Sequence, residues 1–517
     1  APRARPSMRG PRHYDAVVVG AGPTGLAAAL QLHARGAHVA IVDKMPAPAG
    51  FDAERAFLYN VDGRGQSTLD ELGLLDALVN QSVSQEEFRL SMVTDTDKPV
   101  GEPLSLPVVD LEQRRRVPAQ WIPRSKLVAL MDDAVADTAE RPSATPPVER
   151  IYGRGVASLR VEEGAHHWRV GVEGTLGGGA QEELTASLVV GADGLSSAVR
   201  DQLASLAGGS AFAVRKRPSA SAGLRYKVLA LPPKFPLSTR SSERAEPSMA
   251  YSLRGKPSVP RPIKAGILPL RTDEMGRTAN FITREDHPIW DKKDAPSMAA
   301  FLADNFPHIP LNEETIGKEE LARFAASRGG RFPRPQHCTD AAYVPEGGGG
   351  CAAIIAGDAL HAFPPDLGQG VNSGLQDISV FAKKLDAHAV RFGARDDADA
   401  PADAPPPGLA PAAEEYAGER VPEASALTRL MQLGYPFQYG QECFMSKPRQ
   451  AFWAVNMLAR LKLSKVFRGI LHPQIMTQVQ NPTLAYSRIL ATANRTTMLL
   501  RLVAAGAVAV AIAVGRH

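Results

Sequence analysis

Short apolar runs that each stop at a glycine recur along this chain. Asp15 to Val19 meets Gly20, Leu188 to Val190 meets Gly191, and Ala352 to Ala356 meets Gly357. Runs this short and this rich in Val, Ile, Leu and Ala fit strands buried on both faces of a parallel sheet. Behind the first run, Leu26 to Arg35 predicts a helix, and His38 to Val42 predicts a second strand that ends on Asp43. Together they make a βαβ unit of about 30 residues at the start of the fold.

Further along, the pattern changes. Residues 156–190 alternate apolar and polar positions around Gly-rich turns at 173–179, which predicts antiparallel strands. Residues 211–330 carry many prolines and short strand-like runs such as Ala265 to Leu270, and read as a separate β-rich unit. A helix is expected from Asn372 to Leu385. The Ala/Pro/Asp-rich stretch from Asp396 to Pro411 reads as a surface excursion, and the pattern after it is helical to the end. No internal repeat is visible.

Composition narrows the classes. With 517 residues, 44% of them hydrophobic, the chain can bury a sizeable core divided among two or more packed units. A net charge of +4 is small for that length, and no basic stripe is interleaved with aromatics, so nucleic acid is not an expected partner. Cys338, Cys351 and Cys443 lie far apart with no CxxC or His-paired spacing, which argues against a structural metal or a disulfide framework and suits a reducing compartment. The opening segment has Arg3, Arg5, Arg9 and Arg12 and no acid before Asp15. It reads either as the remnant of an organellar transit peptide or as a basic tail, and no secretory signal is present.

Candidate chemistry sits where the apolar runs end. Gly20-Ala21-Gly22-Pro23-Thr24-Gly25 lies between strand and helix. A pyrophosphate can rest on a helix N-terminus only where side chains do not block the backbone, and the third glycine lets the helix pack on the strand. Asp43, at the end of the second strand, stands where an acid accepts hydrogen bonds from a ribose. The second stretch, Gly191-Ala192-Asp193-Gly194, is by itself equally an Asp-Gly turn that caps a helix. The third runs from Gly357-Asp358 through Pro364-Pro365-Asp366 to Gly368-Gln369-Gly370-Val371-Asn372. There an acid follows a strand where a sugar hydroxyl could be held, and glycines open a helix start to a ring or a phosphate. His361 lies between, as a candidate acid or base or as a hydrogen-bonded turn residue.

These three stretches, in this order, resemble the nucleotide fingerprint, DG motif and GD motif of the class A FAD-dependent monooxygenases, over most of residues 13–390. Within that class the resemblance is to kynurenine 3-monooxygenase and its relatives. Arg55-Ala56-Phe57-Leu58-Tyr59-Asn60 with Gly63-Arg64-Gly65 is similar to their segment in which an arginine contacts FAD. Ile122-Pro123-Arg124-Ser125 resembles their flavin-contacting arginine at a helix start, and Gly368 to Gly374 resembles their GQGMNAG. Tyr486-Ser487-Arg488 falls in a late helical segment like theirs. Two departures stand out. Arg89-Leu90-Ser91-Met92 does not match the register of their substrate-holding arginine, and Pro364-Pro365-Asp366 stands where they have Val-Pro-Phe.

The resemblance implies an α/β fold. A Rossmann-like FAD-binding domain of the glutathione reductase or para-hydroxybenzoate hydroxylase type would comprise residues 13–85, 112–210 and 331–395. A β-sheet substrate domain (86–111 and 211–330) is interleaved with it, and a helical region (396–493) and a hydrophobic tail (494–517) follow. It implies FAD contacts at Gly20, Gly22, Gly25, Asp43, Arg55, Arg124, Asp193, Asp358, Gly368, Gly370 and Asn372, with Pro365, Gly368, Gln369 and Asn372 facing the isoalloxazine. It implies NADPH or NADH as a transient co-substrate, and O₂ whose oxygen passes through a flavin hydroperoxide to a small aromatic substrate. The alternatives are a reductase or halogenase of the same fold, or a non-catalytic FAD-bearing subunit of a membrane complex. The halogenase WxWxIP signature is missing at Trp121-Ile122-Pro123. Arg114-Arg115-Arg116 reads as a site for a 2′-phosphate or as a solvated loop. Thr496 to Gly515 holds one charge, Arg501, and spans roughly 30 Å as a helix. It reads as a helix docked on the protein or as a membrane anchor, and because relatives often carry C-terminal anchors, attachment to a mitochondrial or plastid membrane is expected.

Overall fold

The computed structural model describes residues 11–47, 57–85, 87–96, 98–107, 118–140, 143–161, 166–175, 181–256, 263–271, 276–393, 404–434, 437–441, 447–467 and 469–514. The first sheet is built on β1 (Arg12–Val19), β2 (Val39–Asp43), β3 (Glu149–Tyr152), β4 (Glu182–Gly191) and β5 (Ala352–Ile355), with α1 (Pro23–His33) between the first two. The strands lie in the order β5-β4-β1-β2-β3 and all run parallel. Ala16 to Val18, Leu188 to Val190 and Ala352 to Ile355 are wholly buried, as strands covered on both faces must be. Trp168–Gly174 pairs antiparallel with β4, and Arg154–Arg160 pairs antiparallel with Trp168–Gly174. β1 starts earlier than the apolar run because its first residues still pair with β4, Arg12 opposite Leu184. α1 starts at Pro23, whose fixed φ suits a first helical position.

A second sheet of seven strands runs Gly330–Arg331, Arg225–Leu231, Arg277–Thr283, Lys264–Ile267, Ala250–Arg254, Glu87–Val93, Leu104–Pro107. Its core is aromatic: Phe281 meets Phe306 and Phe324 at ring distances of 5.8 and 5.3 Å, under the helices Ala295–Asn305 and Lys318–Ala326.

Among the remaining helices are α2 (Gly370–Ala387), α3 (Leu409–Leu433), α4 (Lys447–Val466) and α5 (Tyr486–Val514). α3 begins at Leu409, inside the stretch that reads as a surface excursion. Leu409, Ala412, Ala413 and Tyr416 pack into the main core and make that start worthwhile. A third apolar cluster joins Phe363 and Leu367 to Leu427, Leu430 and Met431 of α3 and to Tyr486, Ile489 and Ala493 of α5. The C-terminal helices therefore close over the loop that precedes α2.

The expected membrane-crossing tail is corrected here. Among the described residues, no helix is long and apolar enough to cross a membrane. The segment is the second half of α5, whose first half belongs to the protein body. Thr496, where the span was to begin, is fully buried and accepts a hydrogen bond from the His472 amide at 3.1 Å. Arg460 of α4 donates to the Ala493 carbonyl and to Thr497 Oγ1, both at 2.6 Å, and ties the same stretch to its neighbour. The basic opening residues 1–10, Cys443 and Arg114 to Arg116 lie outside the described residues.

α2 and α3 are joined by a buried ion pair in which Arg420 Nε donates to Asp377 Oδ1 at 2.7 Å. Burial alone would raise the Asp377 pKa, but the charges of His361 and Arg420 hold it below its usual value. Removing the arginine would strand a carboxylate in a dry interior. Arg420→Met is expected to lower unfolding stability by about 3–5 kcal/mol, read from the denaturant midpoint at unchanged slope.

Candidate functional site

β1, β4 and β5 end level, with Val19 opposite Gly191 and Gly191 opposite Ile355, so the three glycine-rich turns leave the sheet side by side. The carboxyl ends of parallel strands are where open α/β sheets bind ligands. The three fingerprint glycines have different surroundings. A Cβ on Gly20 (φ +106°) would lie 2.3 Å from the Ala192 carbonyl oxygen, and one on Gly25 would lie 1.8 Å from that of Gly20. A Cβ on Gly22 would meet nothing within 4 Å. Two of the glycines are therefore required by the protein's own packing, and the middle one borders open space.

The third motif is brought to the first by Thr24. A Cβ on Gly357 or Gly374 would come 2.7 or 2.5 Å from Thr24 Oγ1, so α2 and α1 meet with their first turns together. Neither helix start has a side-chain cap, and Gly370 at the head of α2 also borders open space. Two sets of free backbone amides thus open into one cleft, each carrying the positive end of a helix dipole.

The sequence-expected acids are used differently. Asp358 takes no hydrogen bond from the described residues. Its side chain is solvent-accessible although protein surrounds it, as befits a group in the wall of a cleft. Burial, moderated by His361, raises its pKa. Asp43 accepts from the Ala21 amide at 2.6 Å and the Met45 amide at 2.7 Å, so it braces the fingerprint loop. Asp193 accepts from Ser197 Oγ at 2.5 Å and from the Ala198 and Val199 amides at 2.6 and 3.2 Å. Its carboxylate caps the helix Ala198–Ala207, so the capping-turn alternative is the one its side chain realises. Arg124 begins the helix Arg124–Ala136, half-buried and with no ion pair among the described residues. Arg55 lies outside the described residues. Arg89 is exposed on the second sheet.

The loop before α2 turns through Pro365–Leu367, and Gly368 leaves it in the left-handed region at φ +63°. The side chains of Gln369 and Asn372 are taken up inside the protein. Gln369 donates to Asp62 Oδ2 at 2.7 Å and accepts from the Tyr486 hydroxyl at 2.8 Å. Asn372 accepts from the Asp62 amide at 3.0 Å and donates to the Asn60 and Gly368 carbonyls, both at 2.8 Å. These two side chains support from behind the loop that the sequence reading sets facing the isoalloxazine. Arg64 also points inward, donating to the Val479 carbonyl at 2.7 Å with its guanidinium 4.1 Å from the Tyr486 ring centre. His361 is fully buried and paired through Nε2 with Asp377 at 2.9 Å; it is a hydrogen-bonded residue of the short strand His361–Ala362, opposite His337, and not of a turn.

Two buried acids went unassigned in the sequence. Asp62 caps the helix Gly63–Glu71, and burial, against the pull of Gln369 and Arg64, pushes its pKa up to about 6. Asp366 is 4% exposed in the loop itself and is pushed up to about 7 by burial, against hydrogen bonds from Ser221, Gln438 and Tyr439. The signal for Asp62 is its place before Gly63 at a helix start. For Asp366 it is an acid where the resembling family has an apolar residue.

These features fit an FAD: uncapped amides at two helix starts, two glycines facing open space, and an acid with no hydrogen bond from the described residues. The comparisons agree. Residues 13–215 and 351–397 match the family described as FAD binding domain. A solved structure of 2-methyl-3-hydroxypyridine-5-carboxylic acid oxygenase shares the fold with a TM-score of 0.56 at 17% identity, covering 88% of this chain and 96% of that one. The chain thus has an FAD-binding domain and shares its fold and its relatives with the class A FAD-dependent monooxygenases. Within that class it is similar over nearly its whole length to kynurenine 3-monooxygenase. It is 26% identical to the enzyme of Salinispora arenicola over 98% of both chains, and 25% identical to that of Anopheles gambiae over 73% of this chain and 69% of that one.

Gly22→Val is expected to leave apoprotein unfolding unchanged while weakening FAD retention roughly tenfold or more, because its side chain would occupy only the cleft. Gly25→Val should fail to fold. Visible absorbance of the purified proteins and thermal unfolding of the apoproteins separate the two.

The two raised acids also predict a pH dependence. Each is protonated in the folded protein at pH values where the unfolded chain has already ionised. Their contribution is therefore complete below about pH 4 and is lost as pH rises through about 6 for Asp62 and about 7 for Asp366. Asp62→Asn and Asp366→Asn should each flatten the fall in apoprotein stability between those limits, measured by urea titration at several pH values.

Proposed function

We propose that this protein hydroxylates a small, electron-rich aromatic substrate using NADPH or NADH and O₂. The supporting observation is the extent of the similarity to kynurenine 3-monooxygenase, which at 98% of both chains takes in the second sheet and the C-terminal helices as well as the dinucleotide-binding part.

Bound FAD would supply the redox chemistry and the activation of oxygen. The chain's own residues bind, orient and shield. The amides at the starts of α1 and α2 hold the pyrophosphate against their helix dipoles, and Gly22 and Gly370 leave the space for its approach. Asp358 accepts hydrogen bonds from sugar hydroxyls, which lowers its raised pKa by giving the carboxylate the partners it lacks. Arg124, with no ion pair among the described residues, would supply a positive charge from the start of its helix. The loop Pro364 to Gly368 is held from behind by Asp62, Gln369, Asn372 and Tyr486, and Leu367 is packed under the C-terminal helices. A rigid, covered loop of this kind places the substrate and keeps water from the reacting atoms.

Purified protein supplied with NADPH or NADH and a panel of hydroxylated and amino-substituted aromatics tests the proposal. For at least one compound, nicotinamide oxidation should rise several-fold, with oxygen from ¹⁸O₂ appearing on the ring. If bound FAD is not reduced by either nucleotide with any of the compounds, the proposal fails.

A further inference from the structure

Asp366 is the one residue of the loop that both departs from the family's pattern and is buried in an ionisable form. Its surroundings come from three parts of the chain. Ser221, which leads into the second sheet, donates from Oγ to Asp366 Oδ2 at 2.5 Å. Gln438 and Tyr439, from the segment between α3 and α4, reach it from the other side, Gln438 at 3.2 Å from the main-chain carbonyl and 3.4 Å from Oδ1. All three donate hydrogen bonds, so the carboxylate is well satisfied as an acceptor. A protonated Asp366 keeps its bonds only if a partner can accept in turn.

Ser221 has that freedom. Its Oγ lies 3.0 Å from Ser219 Oγ, and either hydroxyl can be the donor. Ser221 is fully buried and Ser219 is half-buried. Ser219 in turn lines a cavity of about 320 Å³ with Lys216, Arg217, Pro218, Ala222 and Arg334, of which Lys216, Pro218 and Arg334 are exposed to solvent. A line of hydroxyls therefore runs from the loop to water, each link within hydrogen-bond distance.

We infer that Asp366, Ser221 and Ser219 form a proton path between solvent and the loop that faces the flavin. The inference rests on the proposed function for the loop's place beside the flavin; the path itself ends at Asp366, which is 4% exposed, and sets the charge of the loop carboxyl. Inward transfer is balanced at each link. Ser219 Oγ accepts a proton from cavity water and passes its own to Ser221 Oγ, which passes its own to the Asp366 carboxylate and leaves a neutral acid. Reversal of the same hops discharges it. Asp366 titrates near neutral pH, where such a group exchanges protons in both directions. Tyr439 is the titratable group that faces it, and burial followed by the charge of Asp366 keeps Tyr439 protonated. The positive groups Lys216, Arg217 and Arg334 stand at the outer end.

Infrared spectroscopy of the FAD-loaded protein tests the path without turnover. A protonated carboxyl band should titrate between about pH 6 and 8 and be missing in Asp366→Asn. On rapid transfer to heavy water this band shifts as its proton exchanges. In Ser219→Ala and Ser221→Ala the shift should slow by roughly tenfold or more, with the flavin spectrum and FAD content unchanged. A band that survives in Asp366→Asn, or exchange at the wild-type rate in both serine variants, overturns the inference. Should Asp366→Asn not fold, Ser219→Ala decides the matter, since its side chain sits at the cavity mouth. A failure here leaves the hydroxylation assay untouched, and a protein that hydroxylates nothing still gives a definite titration and exchange rate.

Discussion

Backbone lies on backbone at the ends of the parallel strands, and the remainder of the site depends on that contact. Gly25 approaches the Gly20 carbonyl, Gly20 approaches the Ala192 carbonyl, and Gly357 and Gly374 close on Thr24, all at distances no Cβ could share. Each contact removes a side chain that would hold α1 or α2 away from the sheet. The two helix starts can then converge, and their unpaired amides face one cleft. Without that approach the amides would be too far apart to act on one ligand.

Behind the cleft, polar groups are buried in connected networks, in which His361 Nδ1 and Arg420 Nη2 are left without a hydrogen-bond partner among the described residues. Asp377 accepts from the Gly357 amide at 2.8 Å and Arg420 at 2.7 Å, and pairs with His361 at 2.9 Å. This one carboxylate holds the turn after β5, the helix α2 and the helix α3. Asp62, Gln369, Asn372 and Tyr486 do the same for the loop, the strand Leu58–Val61 and α5. Bonds that converge on one buried carboxylate fix how the parts they join are arranged. Asp377 lies low because it has positive partners, and Asp62 and Asp366 lie high because theirs are neutral or distant. Burial acts on all three acids, and the neighbours decide the direction.

The C-terminal helices are more than an appendage to the dinucleotide-binding part. They supply half of the third apolar cluster, the tyrosine that orients Gln369, and the two residues that hold Asp366. A sequence window across α5 sees an apolar stretch with one arginine. It cannot see that Thr496 is buried or that Arg460 from another helix donates to the Ala493 carbonyl and the Thr497 hydroxyl. Those contacts stop near Thr497, and Met498, Leu502, Val503, Val510 and Ile512 of the same helix are exposed.

What the sequence by itself determined is local. The βαβ start, the glycine turns at the ends of apolar runs and the acid after β5 follow from periodicity over a few residues and from the backbone freedom that glycine alone provides. The order of the three motifs carried the cofactor as well. The uses of the side chains came only with the tertiary structure. Asp43 and Asp193 read as ligand contacts and are bonded to nearby amides, Gln369 and Asn372 turn inward, and Asp366 gains its significance from Ser221 and Tyr439, more than seventy residues away on either side. A polar side chain bonds whatever the fold brings within about 3 Å, and spacing along the chain does not contain that information.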